Sequence, residues 1–312
     1  MKLFKKIAFV FLVIIVLFFL GGYFYFQKKF TPPENYLNVS GIAENIPTKW
    51  ISSNDNSHSA LLLPVKIKGI DRVFYMQFDS GSPITVFYKK SVESIAVKFQ
   101  DRLKIDRENT SLSTAFTIGN MNVASNTFEV LDYGEKINVD NPNAENIIGT
   151  IGTDLLEKRI TILDFKNNQC SFIEKIQEED FVDFEFKKRK ILIPSIIENK
   201  KLKLLYDSGT SGYELITTKE IWQQYRNKNS AVKTEKGNSW GNTLSVYSAS
   251  AKKKIRFQKT TITLSEVTYI EGTSGLQQFL MKRSGMQGMM GNKLFLSHKL
   301  ILDCRNEKFK LE

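Results

Sequence analysis

One short segment occurs twice in this chain, each time at the end of an apolar run. The copies are Phe78-Asp79-Ser80-Gly81-Ser82 and Tyr206-Asp207-Ser208-Gly209-Thr210. Each reads aromatic, aspartate, serine, glycine, hydroxyl residue. Val73-Phe74-Tyr75-Met76 leads into the first and Leu202-Lys203-Leu204-Leu205 into the second. Asp-Ser-Gly alone is an ordinary turn sequence, because Asp and Ser bond their own backbone and Gly supplies unusual dihedrals. Two copies, each closing a strand-like run, demand more than a turn.

The copies belong to a longer repeat. Leu61-Leu62-Leu63-Pro64-Val65-Lys66-Ile67 precedes the first aspartate, and Ile191-Leu192-Ile193-Pro194-Ser195-Ile196-Ile197 the second. The proline stands 15 residues before Asp79 and 13 before Asp207. Downstream, Ile151-Gly152-Thr153-Asp154-Leu155-Leu156 is echoed by Met290-Gly291-Asn292-Lys293-Leu294-Phe295. Both Gly152 to Asp164 and Gly291 to Asp303 span 12 residues, and Ile162-Leu163-Asp164 and Ile301-Leu302-Asp303 close the halves alike. A period near 130 to 140 residues is far too long for a solenoid unit. Two homologous domains facing each other are expected, and 312 residues leave room for two cores.

Five of the eleven net positive charges come from Lys2, Lys5, Lys6, Lys28 and Lys29. The rest are scattered, apart from Lys187-Lys188-Arg189-Lys190 and Lys252-Lys253-Lys254, which read as solvated faces or hairpin tips. No aromatic recognition pattern is interleaved with them, so nucleic acid is not an expected partner. Ile7 to Phe26 is uncharged and nearly all apolar, enough for a helix to cross a bilayer. Lys2, Lys5 and Lys6 ahead of it place residues 1–6 in the cytoplasm and the bulk of the chain outside, periplasmic or extracellular. A cleaved signal peptide is the competing reading; the long apolar stretch and the lack of a small-x-small site favour an uncleaved anchor at 7–26.

Residues 27–57 turn polar and read as a stalk, with a short strand around Lys49-Trp50-Ile51. Residues 58–179 and 180–312 form the two lobes, the charged stretch Asp180 to Lys190 opening the second. Leu61 to Ile67 and Val73 to Phe78 predict strands joined by a turn at Lys68-Gly69-Ile70-Asp71, and Ile84 to Phe87 predicts another. Ser91 to Phe99 and Thr218 to Tyr225 predict matched helices, and Ser111 to Leu131 a strand pair about Gly119-Asn120.

Two Asp-Ser-Gly-[Ser/Thr] segments, each followed by a hydrophobic-hydrophobic-Gly segment, resemble the pepsin/retropepsin-like aspartic proteases over roughly residues 60 to 312. The commoner family triplet is Asp-Thr-Gly; serine at 80 and 208 keeps the hydroxyl and drops a methyl. Thr150-Ile151-Gly152 has one strictly apolar residue before its glycine, and Ile147-Ile148-Gly149 competes with it, the spacing to Asp164 favouring Gly152. The resemblance implies a mostly β, bilobal acid-protease fold from two duplicated β-barrel lobes, a monomeric pseudo-dimer preceded by one transmembrane helix. It implies an aspartic endopeptidase acting on peptide or protein substrates without cofactor or metal. The rival reading is a catalytically silent peptide-binding or scaffold protein on the same fold.

On that resemblance Asp79 and Asp207 meet across the interface and share a water. Like charges so placed do not both ionise easily, so the pair retains one proton. Gly81 and Gly209 are expected to bring backbone N–H groups to the carboxylates. Ser82 and Thr210 are expected to donate hydroxyl bonds to the outer carboxylate oxygens, and Ser80 and Ser208 to bond across to the opposite loop; the plain alternative for all four hydroxyls is local turn bonding. A substrate-covering flap is implied too. Trp240-Gly241 is better placed for it than Tyr133-Gly134, which comes late after Asp79. His58 and His298 have no metal-ligand neighbours at usable spacing and no Gly-x-Ser-x-Gly elbow accompanies them, so both are expected to be structural. Cys170 and Cys304, one per half, are expected to be free buried thiols, with a bridge the alternative if their strands lie side by side.

Overall fold

Burial with a period of two runs along the strands of this chain. In Phe74–Phe78, Phe74, Met76 and Phe78 face inward and Tyr75 and Gln77 are half-buried; in Ser111–Ile118, Leu112, Phe116 and Ile118 are buried. Such alternation is what a pleated strand with one core face requires. The computed structural model describes residues 31–312 with Gly22 and Lys28, except residues 54–55, 100–101, 107, 142, 178, 240–241 and 273–285. The fold is mostly β. Among the described residues the α-helices of the folded unit are Lys89–Lys98 and Lys219–Tyr225, the second capped by the Thr218 hydroxyl accepting from the Ile221 amide.

Among the described residues, three sheets carry the fold. A nine-stranded sheet is built from the first half and a ten-stranded sheet from the second. A six-stranded sheet with strands from both halves runs Val182–Asp183, Lys308–Leu311, Lys299–Asp303, Ile160–Asp164, Gln169–Ile173, Ala43–Pro47. Its centre pairs the two echoing triplets antiparallel, with Ile162 opposite Ile301, Ile160 opposite Asp303 and Asp164 opposite Lys299. Tyr36–Glu312 is therefore one unit. The boundary at 179/180 separates two halves that share a sheet and a continuous apolar core, rather than two domains.

The duplication extends to topology. The strand leading to each aspartate, Phe74–Phe78 or Lys200–Tyr206, pairs in parallel with the strand leading to each downstream glycine, Ile147–Ile151 or Met289–Met290. The strand after each aspartate loop, Val86–Tyr88 or Ile216–Thr217, pairs antiparallel with that same strand. It also pairs in parallel with a later one, Met121–Leu131 or Glu266–Glu271. Both halves thread the chain alike around the aspartates.

Two expectations change. The stalk at 27–57 does not hold beyond residue 37: Asn38–Ser40 joins the nine-stranded sheet, Ala43–Pro47 edges the six-stranded one, and Lys49–Ser53 forms a hairpin with Asn56–Ile67. These strands are polar because each buries only a few side chains, such as Ala43 and Ile46. The basic run 187–190 is not all solvated either, since Arg189 is only 5% exposed. The tail predicted at 1–6 and, apart from Gly22, the anchor at 7–26 lie outside the described residues; among the described residues no helix is long and apolar enough to cross a membrane.

Candidate active site

Each aspartate is held at the end of its strand by its own amide. Asp79 N–H donates to Ile151 O at 3.0 Å, and Asp207 N–H to Met290 O at 2.9 Å. Each then closes the same tight turn: Ser82 N–H donates to Asp79 O, and Thr210 N–H to Asp207 O, both at 3.1 Å. Gly81 N–H reaches Asp79 Oδ1 at 2.8 Å and Gly209 N–H reaches Asp207 Oδ1 at 2.9 Å. Ser82 N–H adds a bond to Asp79 Oδ1 at 3.2 Å.

The two turns are locked together by serines. Ser80 N–H donates to Ser208 Oγ and Ser208 N–H to Ser80 Oγ, each at 2.8 Å. The hydroxyls pass the contact on, Ser80 Oγ donating to Tyr206 O at 3.0 Å and Ser208 Oγ to Phe78 O at 2.9 Å. Both serines are buried, so four bonds are made away from water, where an unmade one is most costly.

This lock brings the carboxylates within hydrogen-bonding reach of each other. A Cβ on Gly81 would lie 2.5 Å from Asp207 Oδ1, and one on Gly209 would lie 2.5 Å from Asp79 Oδ1. Any side chain there would fill the space where the acids meet, so glycine is required at both positions. Asp79 is buried and Asp207 half-buried. Burial raises the pKa of Asp79 against the opposing pull of the Gly81 and Ser82 amides. Asp207 is pushed up to about 7, by burial first and by the charge of Asp79 second. The pair therefore holds a proton where isolated carboxyls would lose it, and it titrates as a unit.

Behind each loop stands a glycine that nothing can replace. A Cβ on Gly152 would lie 2.3 Å from Ile84 O, and one on Gly291 2.1 Å from Thr210 O. Gly149 and Gly288, three residues earlier, also leave no room for a side chain, against Val86 O and Ile216 O at 2.2 and 2.8 Å. The two competing first-half glycines thus belong to one Gly-x-x-Gly pair that recurs in the second half. In the first half the loop is further held by Asp154, which accepts from Thr85 N–H and Thr85 Oγ1, both at 2.7 Å. In the second half Lys293 stands at the position of Asp154, and the loop is held instead by Asn292, the counterpart of Thr153, which accepts from Tyr206 OH at 2.6 Å and donates to Ser211 Oγ at 3.0 Å.

Several site expectations are corrected. Neither the Ser82 nor the Thr210 hydroxyl donates to a carboxylate: Ser82 Oγ bonds Ile84 O at 2.7 Å and Thr210 Oγ1 bonds Asp207 O at 2.8 Å. Both are local turn bonds, which a short hydroxyl side chain reaches without distortion. Trp240 and Gly241 lie outside the described residues; the strands leading to them, Val232–Ser239 and Asn242–Ser250, form a hairpin tied to the second loop by Tyr213 OH donating to Glu235 Oε1 at 2.8 Å. Tyr133-Gly134 is not in a hairpin turn. Tyr133 packs edge-on against Tyr88, their centroids 5.1 Å apart, and Gly134 takes φ +87° beneath that ring.

Sequence reasoning does not single out Tyr88. Its OH bonds Thr150 Oγ1 at 2.6 Å, and burial, with the charge of Asp79 as a lesser cause, pushes its pKa up to about 12. The one signal for it is the aromatic pair Phe87-Tyr88 closing a strand nine residues after Asp79. Neither histidine contributes to the site. His58 sits on Asn56–Ile67 against Trp50, and His298 follows the turn Asn292–Phe295. Among the described residues no cluster of His, Cys, Asp or Glu could hold a metal ion. No protein-family model matches the chain, and no curated protein is significantly similar to it.

Proposed function

We propose that this chain is an aspartic endopeptidase of the pepsin/retropepsin-like kind, two-lobed within one chain and anchored through residues 7–26 with its lobes outside the cytoplasm. The observation that carries the reading is the meeting of Asp79 and Asp207, one from each half, with raised pKa values and the serine lock beneath them. One carboxylate takes a proton from water as the oxygen attacks a peptide carbonyl. The protonated partner donates to that carbonyl, and the leaving nitrogen is protonated as the tetrahedral species collapses. No covalent enzyme intermediate forms. The Gly81 and Gly209 amides hold the acids in place without competing for the shared space.

The test is cleavage of a peptide library by the full chain in detergent, with and without pepstatin. Pepstatin-sensitive cleavage that is strongest below about pH 7, where one proton remains on the pair, supports the reading. Tight peptide binding with no cleavage at any pH between 3 and 8 would replace it with the silent, peptide-binding alternative.

A further inference from the structure

In each half, the hairpin that opens it reaches across to the aspartate loop of the other. In the first half this is Lys49–Ser53 with Asn56–Ile67, and Asn56 Nδ2 donates to Gly212 O at 2.9 Å, five residues past Asp207. In the second it is Glu185–Lys187 with Lys190–Ile197, and Arg189 Nη1 donates to Pro83 O at 3.1 Å, four residues past Asp79. Both side chains leave a hairpin tip, and both end on a backbone carbonyl of the opposite loop.

The Arg189 contact is built at some cost. Its turn holds Lys188 and Arg189 at φ +52° and +59°, a conformation that two-residue hairpins usually give to Asn-Gly. The guanidinium is nearly sealed from solvent and also grips Glu157, Nε to Oε1 at 2.8 Å and Nη2 to Oε2 at 3.5 Å. A planar fork can hold a carboxylate and a carbonyl at once, which an ammonium does poorly. The Asn56 contact needs a missing side chain: a Cβ on Gly212 would lie 1.8 Å from Asn56 Nδ2.

We propose that Arg189 and Asn56 are a reciprocal pair of positioning residues, each pinning the opposite half's aspartate loop by its backbone and together setting how closely Asp79 approaches Asp207. Neither touches the carboxylates. The inference deepens the endopeptidase reading and rests on it for its kinetic consequence, though not for its effect on the acids.

The experiment compares the full chain in detergent with Arg189→Met, Arg189→Lys, Asn56→Ala, Gly212→Ala and the Asn56→Ala/Gly212→Ala double variant. Peptide cleavage gives kcat and KM; carboxyl-carbon NMR titration of Asp79 and Asp207 gives the two apparent pKa values of the pair. Arg189→Met is expected to lower kcat by about ten- to a hundredfold with KM within about twofold, because small misplacement costs rate rather than affinity. The gap between the two apparent pKa values is expected to narrow as the acids part, and lysine to recover only part of both effects. Gly212→Ala is expected to reproduce Asn56→Ala, and the double variant to be no worse than either. A folded Arg189→Met with unchanged gap and kcat, or additive effects of the Asn56 and Gly212 variants, overturns the proposal. Should Arg189→Met fail to fold, Asn56→Ala at its half-buried hairpin tip takes its place: a lower kcat with a narrowed gap upholds the proposal, and no change in either overturns it. Should the parent chain cleave nothing, the endopeptidase reading falls, and the titration gap alone upholds or overturns the positioning role.

Discussion

Ser80 and Ser208 are related by a local twofold: each donates its amide to the other's hydroxyl at 2.8 Å, and each hydroxyl donates on to the strand before the opposite aspartate. The acids meet because the serines beneath them do.

Replacing either serine with alanine leaves the other's amide and a strand carbonyl unpaired in a buried place. Ser80→Ala or Ser208→Ala is expected to cost about 1–3 kcal/mol each in denaturant unfolding. The two hydroxyls make separate bonds but join the same two loops, so the double variant is expected to depart from the sum of the singles by at least about 0.5 kcal/mol. Strict additivity would mean the four bonds are not coupled.

Gly152→Ala and Gly291→Ala drive a methyl into backbone oxygens of the aspartate loops, at 2.3 and 2.1 Å. Backbone does not yield as a side-chain tip does, so each is expected to lose about 1–3 kcal/mol or more. Thermal unfolding measures this, and a loss below about 0.5 kcal/mol would contradict the packing described.

The pKa values of the pair also predict how stability depends on pH. Both folded values are raised, so the native chain binds more protons than the unfolded one between the ordinary carboxyl range and about 7. Stability from this pair is therefore fully present below about pH 4 and lost as pH rises through about 7. Asp207→Asn removes the loss. It is expected to be more stable than the parent by about 1–4 kcal/mol above pH 7, with the difference fading near pH 4. A melting-temperature series across pH reads both ends, and a pH-independent difference would argue against a shared proton.

Cys170 and Cys304 are free and buried, with burial raising both thiols well above their usual range. Cys170 lies opposite Leu163, whereas the neighbour of Cys304, Asp303, lies opposite Ile160, so the two are out of line across the strand between them. Alkylation by a maleimide is expected to label neither in the native chain and both after unfolding. Rapid native labelling, or a disulfide in the non-reduced mass, would contradict this.

The repeated segments made the centre of this molecule legible in advance. An aspartate closing a strand, a glycine after it and a second glycine behind the loop are demanded by backbone geometry, and geometry leaves its mark as residue type. Asp79, Asp207, Gly81, Gly209, Gly152 and Gly291 could all be read this way, as could the hairpin about Gly119-Asn120. Hydroxyl direction was legible only in part: Ser80 and Ser208 cross to the other half as the resemblance implied, whereas Ser82 and Thr210, alike in sequence, bond their own turns. Arg189 was hidden because a basic run looks solvated whichever member turns inward. The strand around Lys49-Trp50-Ile51 could be read, but Asn38–Ser40 and Ala43–Pro47 were hidden because edge strands that bury few side chains carry polar composition.

The most direct test of the shared acid site is the cleavage rate of the full chain beside Asp79→Asn and Asp207→Asn, with peptide binding measured on the same samples. Either substitution alone is predicted to remove at least about a thousandfold of kcat while peptide affinity stays within about tenfold, since each acid is needed for a proton transfer and neither supplies most of the binding. Cleavage that persists at the parent rate with either aspartate replaced would contradict a reaction carried out between the two.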